Sequence, residues 1–71
     1  MGTNWPATKA ARVLAALKRV GWREQRRRGS HITLERPGWK DYLWSFHDGE
    51  EIGPRMLARI AKKTGLRPDD L

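Results

Sequence analysis

Two segments of the chain carry apolar residues at helical spacing. The first follows Thr8, a plausible N-cap, and ends before Gly21-Trp22, a pair that predicts a Schellman-type helix end with the tryptophan folded back. The second begins at Pro54, a residue favoured in a first helical turn, and ends at Thr64 before Gly65-Leu66. The inward-facing positions are predicted to be Ala10, Val13, Leu14, Leu17, Val20, Leu57, Ile60 and Ala61.

Between the helices the apolar period changes from 3.6 to 2, which indicates strands. We predict strands over 22–27, 30–36 and 41–47, with turns at Arg28-Gly29 and Pro37-Gly38. The order is therefore α-β-β-β-α, an α+β fold with a three-stranded antiparallel sheet and two helices on one face. We expect residues 1–7 to be a flexible leader, in which Trp5 either docks or does not, and residues 8–71 to form one domain.

The alternation also assigns the faces of the sheet. One face is predicted to pack against the helices through Ile32, Leu34, Tyr42, Trp44 and Phe46. The opposite, open face would then carry His31, Thr33, Leu43, Ser45 and His47. Both histidines of the chain are thus expected on the open side or its rim.

The charge is segregated along the chain. With 15 Lys and Arg against 8 Asp and Glu, the net charge is +7, which indicates a nucleic acid or an acidic protein as partner. Residues 1–40 carry +8, residues 41–53 carry −4, and residues 54–71 carry +3. An acidic loop between basic elements would keep nucleic acid from one edge and admit it at the other.

The densest chemistry lies in six consecutive residues. Arg26, Arg27 and Arg28 supply forked donors for phosphate, and the backbone N–H groups of Gly29 and Ser30 are further phosphate-binding candidates. His31 is the candidate general acid or base. RNA needs no metal for cleavage by its own 2′-hydroxyl, so a base, an acid and positive charge are sufficient.

Other residues keep two interpretations. His47 is either a second proton donor or a solvated residue, and Arg12, Lys18 and Arg19 either bind a phosphate backbone or form a solvated helix face. Trp39, in a turn, is a candidate for stacking on a base. The loop at 47–51 contains oxygen and nitrogen ligands at no recognised spacing, so we expect no metal and no cofactor.

The composition excludes several classes. The chain has no cysteine, which rules out disulfides, thiol catalysis and thiolate zinc sites. No stretch approaches the ~18 apolar residues of a membrane span, and we expect a cytoplasmic protein. A domain this small buries only about 60% of its unfolded surface, so its chemistry is expected in a shallow groove.

Over residues 8–71 the chain resembles the HicA-type (YcfA-like) mRNA interferase toxins of toxin–antitoxin pairs. The resemblance rests on Gly21-Trp22 after a leucine-bearing helix, on Arg26 three residues before Gly29-Ser30-His31, and on a histidine closing the third strand. It also includes Pro54, Leu57, Ile60, Gly65 and Leu66. The sequence departs from the family at Ser45, where proline is common, and at Arg55-Met56, where Gly-Thr is common.

The resemblance implies a fold similar to double-stranded RNA-binding domains, catalysis by His31 on single-stranded RNA or mRNA, and inhibition by an acidic HicB-type antitoxin. Exposure of His31 on an open face also predicts inhibition by occlusion, with the antitoxin pairing with at least one of Arg26, Arg27 and Arg28. Two alternatives from other classes remain. One is a noncatalytic module that binds duplex RNA by shape, and the other is a protein-interaction domain with a basic face.

Overall fold

The computed structural model describes residues 5–71. Its helices are α1, Ala10–Arg19, and α2, Pro54–Thr64, and a single 3-10 turn covers Pro68–Asp70. The strands are β1, Thr8–Lys9; β2, Arg23–Arg28; β3, His31–Glu35; β4, Tyr42–Trp44; and β5, Glu51–Ile52. Residues 1–4 of the predicted leader lie outside the described residues.

The predicted α-β-β-β-α order is confirmed. Strands β2, β3 and β4 form an antiparallel sheet in that spatial order, so β3 is central. The predicted parity is also confirmed: Ile32, Leu34 and Trp44 are buried, while Tyr42 and Phe46 are half-buried against the same core. That core also contains Leu14 and Leu17 of α1, Leu57 and Ile60 of α2, and Trp5.

The third predicted strand is shorter than expected, and the first turn shifts by one residue. Strand β4 ends at Trp44, and the hairpin between β2 and β3 turns at Gly29-Ser30. Gly29 has φ +62°, and among the described residues no non-glycine residue has positive φ. A two-residue turn with positive φ only at its first position is typical of type II′, which matches the twist of a hairpin.

The prediction of Thr8 as N-cap is wrong. Thr8 lies in β1, and its hydroxyl donates to the Pro6 carbonyl at 2.7 Å. Helix α1 begins at Ala10, and its first two N–H groups donate to the carbonyls of Glu50 at 2.7 Å and Asp48 at 3.1 Å. The loop before β5 therefore caps the helix through its backbone, which satisfies donors that a side-chain cap would otherwise accept.

Strands β1 and β5 were not predicted. Thr8 pairs with Ile52 and Lys9 with Glu51 in a two-stranded antiparallel ladder. Two-residue strands are too short to show an alternation, so their pairing has no sequence signal of its own. The ladder holds the segment before α1 beside the segment before α2.

The ends of the two helices are tied together through one indole. Gly21 and Trp22 donate their backbone N–H groups to Lys18 and Leu17, which confirms the Schellman end of α1. The buried Trp22 ring then donates its Nε1–H to the Thr64 carbonyl at 3.1 Å. The hydrogen bond satisfies the indole in the core and positions the start of β2.

Candidate functional site

The β2–β3 hairpin positions His31 on the open face. Arg28 pairs with His31 and Arg26 with Thr33, so these four side chains project from the same side of the sheet. A register irregularity between Glu24 and Arg26 leaves one extra residue, Gln25, in β2. This β-bulge reverses the alternation of β2. Residues of even number before the bulge face the helices, whereas Arg26 and Arg28 after it face outward.

The open face contains a shallow groove, which we call the His31 groove. It has a volume of about 330 Å³. Its lining consists of Arg26, Arg27, Arg28, His31, Thr33 and Leu43. No carboxylate is among these residues, so the groove is strongly electropositive. An anion such as a phosphate is the ligand that this lining favours.

Arg27 differs from the other two arginines of the run. It pairs with Ile32, which faces the core, so its side chain leaves the sheet on the helix side at the exposed edge of β2. Its guanidinium donates to the Glu24 carboxylate, with Nη2–Oε2 at 2.9 Å. Lys18 of α1 donates to the same carboxylate at 2.8 Å. The predicted arginine cluster is therefore divided between the two faces of the hairpin.

The ion-paired carboxylate is electrostatically perturbed. Hydrogen bonds from Arg27 and then Lys18 lower the pKa of Glu24 to about 2. The hydrogen bond to Glu24 in turn raises the pKa of Arg27. On the helix side of the sheet, burial raises the pKa of the Tyr42 hydroxyl. Only the first two shifts concern the predicted phosphate-binding residues, and they show that the charge of Arg27 is already balanced.

The other predicted residues lie away from the groove. Lys18 is paired with Glu24, and the Arg19 guanidinium donates to the Asp70 carbonyl near the C-terminus. Neither lines the His31 groove. Arg12 contributes to a separate depression near the start of α1, with Lys9 and Glu51.

His47 and the turn residues line a second depression. Its lining consists of Arg27, Gly29, Ser30, Ile32, Phe46, His47 and Asp48. The structure thus places Gly29 and Ser30 with His47 and not in the His31 groove. Because β4 ends at Trp44, strand parity does not extend to His47. Its backbone N–H donates to the Glu50 carboxylate at 3.2 Å, within the acidic loop.

Trp39 has a packing role in the fold. Its ring lies edge-to-face against Trp22, with the centroids 6.0 Å apart, and the Arg36 guanidinium carbon lies 5.3 Å from its centroid. It remains 41% exposed, at the bottom of the helix-side core and not in the His31 groove.

Two residues of the groove were not among the predicted site residues. Thr33 and Leu43 pair with each other across β3 and β4, and Leu43 is 59% exposed. The parity argument placed both on the open face. The available signal was an apolar side chain at an outward position of a strand, which is not by itself unusual.

The acidic loop uses its oxygens within the fold. Carbonyls of Asp48 and Glu50 cap α1, and the Glu50 carboxylate accepts the His47 N–H. Across residues 5–71, no group of three or more His, Cys, Asp or Glu side chains is arranged to hold a metal ion.

The family model for the HicA toxin of bacterial toxin–antitoxin systems matches residues 10–66, which covers the sheet, both helices and the groove. The chain belongs to the HicA toxin family. Membership confirms the resemblance deduced from Gly29-Ser30-His31 and its surroundings, and it implies a cognate antitoxin. No curated protein and no solved structure shows significant similarity to the chain. In the described part of this HicA-family chain, neither helix is long and apolar enough to cross a bilayer.

Proposed function

We propose that this HicA-family protein is an RNA endonuclease, an mRNA interferase toxin that uses His31 for acid–base catalysis without a metal ion. One observation carries the proposal. The hairpin places His31 directly opposite Arg28 and diagonal to Arg26, on an open face with no carboxylate in the groove. A proton-transfer group and two outward-facing guanidiniums are the groups that cleavage through the 2′-hydroxyl requires.

The proposed reaction is a transesterification. His31 removes the proton of a ribose 2′-hydroxyl, the 2′-oxygen bonds to the adjacent phosphorus, and the bond from phosphorus to the 5′-oxygen breaks. The leaving 5′-oxygen takes a proton from water. The products are a 2′,3′-cyclic phosphate and a 5′-hydroxyl. A positioned general base contributes about 10²- to 10⁴-fold, or roughly 3 to 5.5 kcal/mol of barrier.

Arg26 and Arg28 bind the scissile phosphate in this scheme. Guanidiniums donate in a fork that matches two phosphate oxygens, and their charge stabilises the extra negative charge of the transition state. Gly29 and Ser30 lie around the tip of the hairpin, where their N–H groups are placed to bind the neighbouring phosphate of the same strand. His47 lies in that second depression and is the available second proton donor.

A noncatalytic RNA-binding module is the alternative, because the same basic face would bind duplex RNA by shape. Purified protein is incubated with single-stranded and duplex RNA in the presence of a chelator. Cleavage of the single strand, with a cyclic phosphate at the new 3′ end, supports the nuclease. Binding of duplex RNA without any cleavage supports the module.

The cognate antitoxin is proposed to be an acidic, HicB-type protein that inhibits by covering His31. The groove has no segment of this chain long enough to close over it, so control requires another chain. Carboxylates of that chain would pair with Arg26 or Arg28, the guanidiniums that Glu24 does not engage. In an inhibited complex, histidine-specific modification of His31 should be blocked. Unchanged reactivity would show that inhibition works by distorting the site.

A further inference from the structure

The open face is arranged in rows across the strands. Arg28 and His31 form one row, and Arg26, Thr33 and Leu43 form the next, two residues further along β3. At about 3.4 Å per residue, the rows are about 7 Å apart. The first row carries the proton-transfer group, whereas the second ends in an apolar side chain.

The sheet becomes acidic beyond the second row. Glu35 follows Thr33 on the same face, and the Gln25 amide donates to the carboxylates of Glu35 at 3.0 Å and Asp41 at 3.3 Å. Carboxylates repel phosphate, so an RNA backbone that reaches His31 does not continue along the sheet in that direction. A neutral base is the part of a nucleotide that fits between the cationic and acidic ends.

We propose that Leu43, together with Thr33, is a platform for one unpaired base next to the phosphate at His31. This inference rests on the proposed nuclease function and adds its specificity for a single-stranded nucleotide. Leu43 is exposed on the groove floor and flanked by Arg26 and His31. An apolar side chain there contacts the face of a base, and the Thr33 hydroxyl hydrogen-bonds the base edge or sugar.

The platform discriminates against duplex RNA. In an A-form helix each base face is covered by its neighbours, so no face is available to Leu43. A base in a single strand is free to leave its stack and lie on the side chain. Apolar contact with a base face is largely independent of its identity, so the platform selects an unpaired nucleotide more strongly than a sequence.

The test is a binding assay with 2′-O-methyl RNA, which lacks the nucleophile and is not cleaved. Single-stranded and duplex oligonucleotides of equal length are titrated with the wild-type protein, Leu43→Ser and Leu43→Phe. Leu43→Ser should weaken single-strand binding by about five- to ten-fold and leave duplex binding within about two-fold. Leu43→Phe should retain or tighten single-strand binding.

Met56→Ser is the matched control. Met56 is also an exposed apolar residue in an arginine-containing depression, with Arg55 and Arg59 on α2. It should leave both affinities unchanged. Thermal unfolding of each variant verifies that the fold is retained, which is expected because neither side chain belongs to the core.

An abasic scan localises the contact. Removing one base at a time from the single strand should weaken wild-type binding at one position, and this effect should disappear in Leu43→Ser. The platform is refuted if Leu43→Ser leaves RNA affinity unchanged, even if antitoxin binding falls, or if it weakens single-strand and duplex binding equally. Because the probe is not cleaved, these outcomes do not depend on whether His31 is catalytic.

Discussion

The division of the arginine run predicts unequal contributions to RNA binding. Arg26 and Arg28 point from the open face, whereas Arg27 is paired with Glu24 on the other side. Replacing each with alanine lowers the net charge from its value of +7 by the same amount. Differences among the three variants therefore report the position of the charge and not its sum.

The magnitude follows from counterion release. Each phosphate contact with single-stranded RNA contributes about −0.7 to the slope of log K against log salt concentration. For roughly three to five contacts the slope is about −2 to −3.5. A four-fold rise in salt would then weaken wild-type binding by about 20- to 130-fold, and each lost contact removes a factor of about 2.6 from that loss.

Arg26→Ala and Arg28→Ala should each make the slope less negative by about 0.7. Arg27→Ala should change it by less than half as much, because Glu24 already balances that guanidinium. Fluorescence anisotropy with uncleavable 2′-O-methyl RNA, over about 50 to 200 mM salt, measures all three slopes. An effect of Arg27→Ala equal to or above that of Arg28→Ala would refute the division of the cluster. A flat wild-type response would refute phosphate binding altogether.

Two further predictions concern stability. Gly65 has φ +75°, and a Cβ there would lie 2.7 Å from Cη2 of Trp39, so Gly65→Ala should cost about 1–3 kcal/mol of unfolding free energy by denaturant titration. Gly38→Ala is the control, because φ is +85° and nothing lies within 4 Å of the added Cβ; an equal loss would show that the Trp39 contact contributes nothing. Glu24→Gln should cost about 0.5–1.5 kcal/mol at pH 7, since it removes two partly exposed ion pairs. Because folding lowers the pKa of Glu24 from 4.5 to about 2, the wild-type advantage should be complete above 4.5 and disappear as the pH falls towards 2; a difference independent of pH would contradict the ion-pair assignment.

The sequence predicts the architecture because its two periodicities are strong. Helix α2 and the buried positions Ile32, Leu34 and Trp44 follow directly from spacing, as does the Gly21-Trp22 helix end. The cap of α1 was not predictable in the same way. Its acceptors are backbone carbonyls almost 40 residues away, and a backbone acceptor leaves no side-chain signature.

The site was only partly predictable, for a related reason. The pairing of His31 with Arg28 follows from a two-residue hairpin turn. The bulge at Gln25 does not, because β2 consists of six exposed polar residues and shows no alternation to interrupt. Without the bulge, the separation of Arg27 from Arg26 and Arg28 has no signal in the sequence. Leu43 had the opposite problem, since its outward parity was visible but its place on the groove floor required the register.

Cleavage kinetics of His31→Ala test the central claim most directly. Single-turnover cleavage of single-stranded RNA is compared for the wild type, His31→Ala and His47→Ala, with chelator present, and RNA affinity is measured separately on an uncleavable strand. His31 is exposed and outside the core, so its replacement should retain folding and affinity but reduce the cleavage rate by at least about 10²-fold. His47→Ala, in the second depression, should have a smaller effect. A His31→Ala protein that cleaves RNA at close to the wild-type rate would contradict the account.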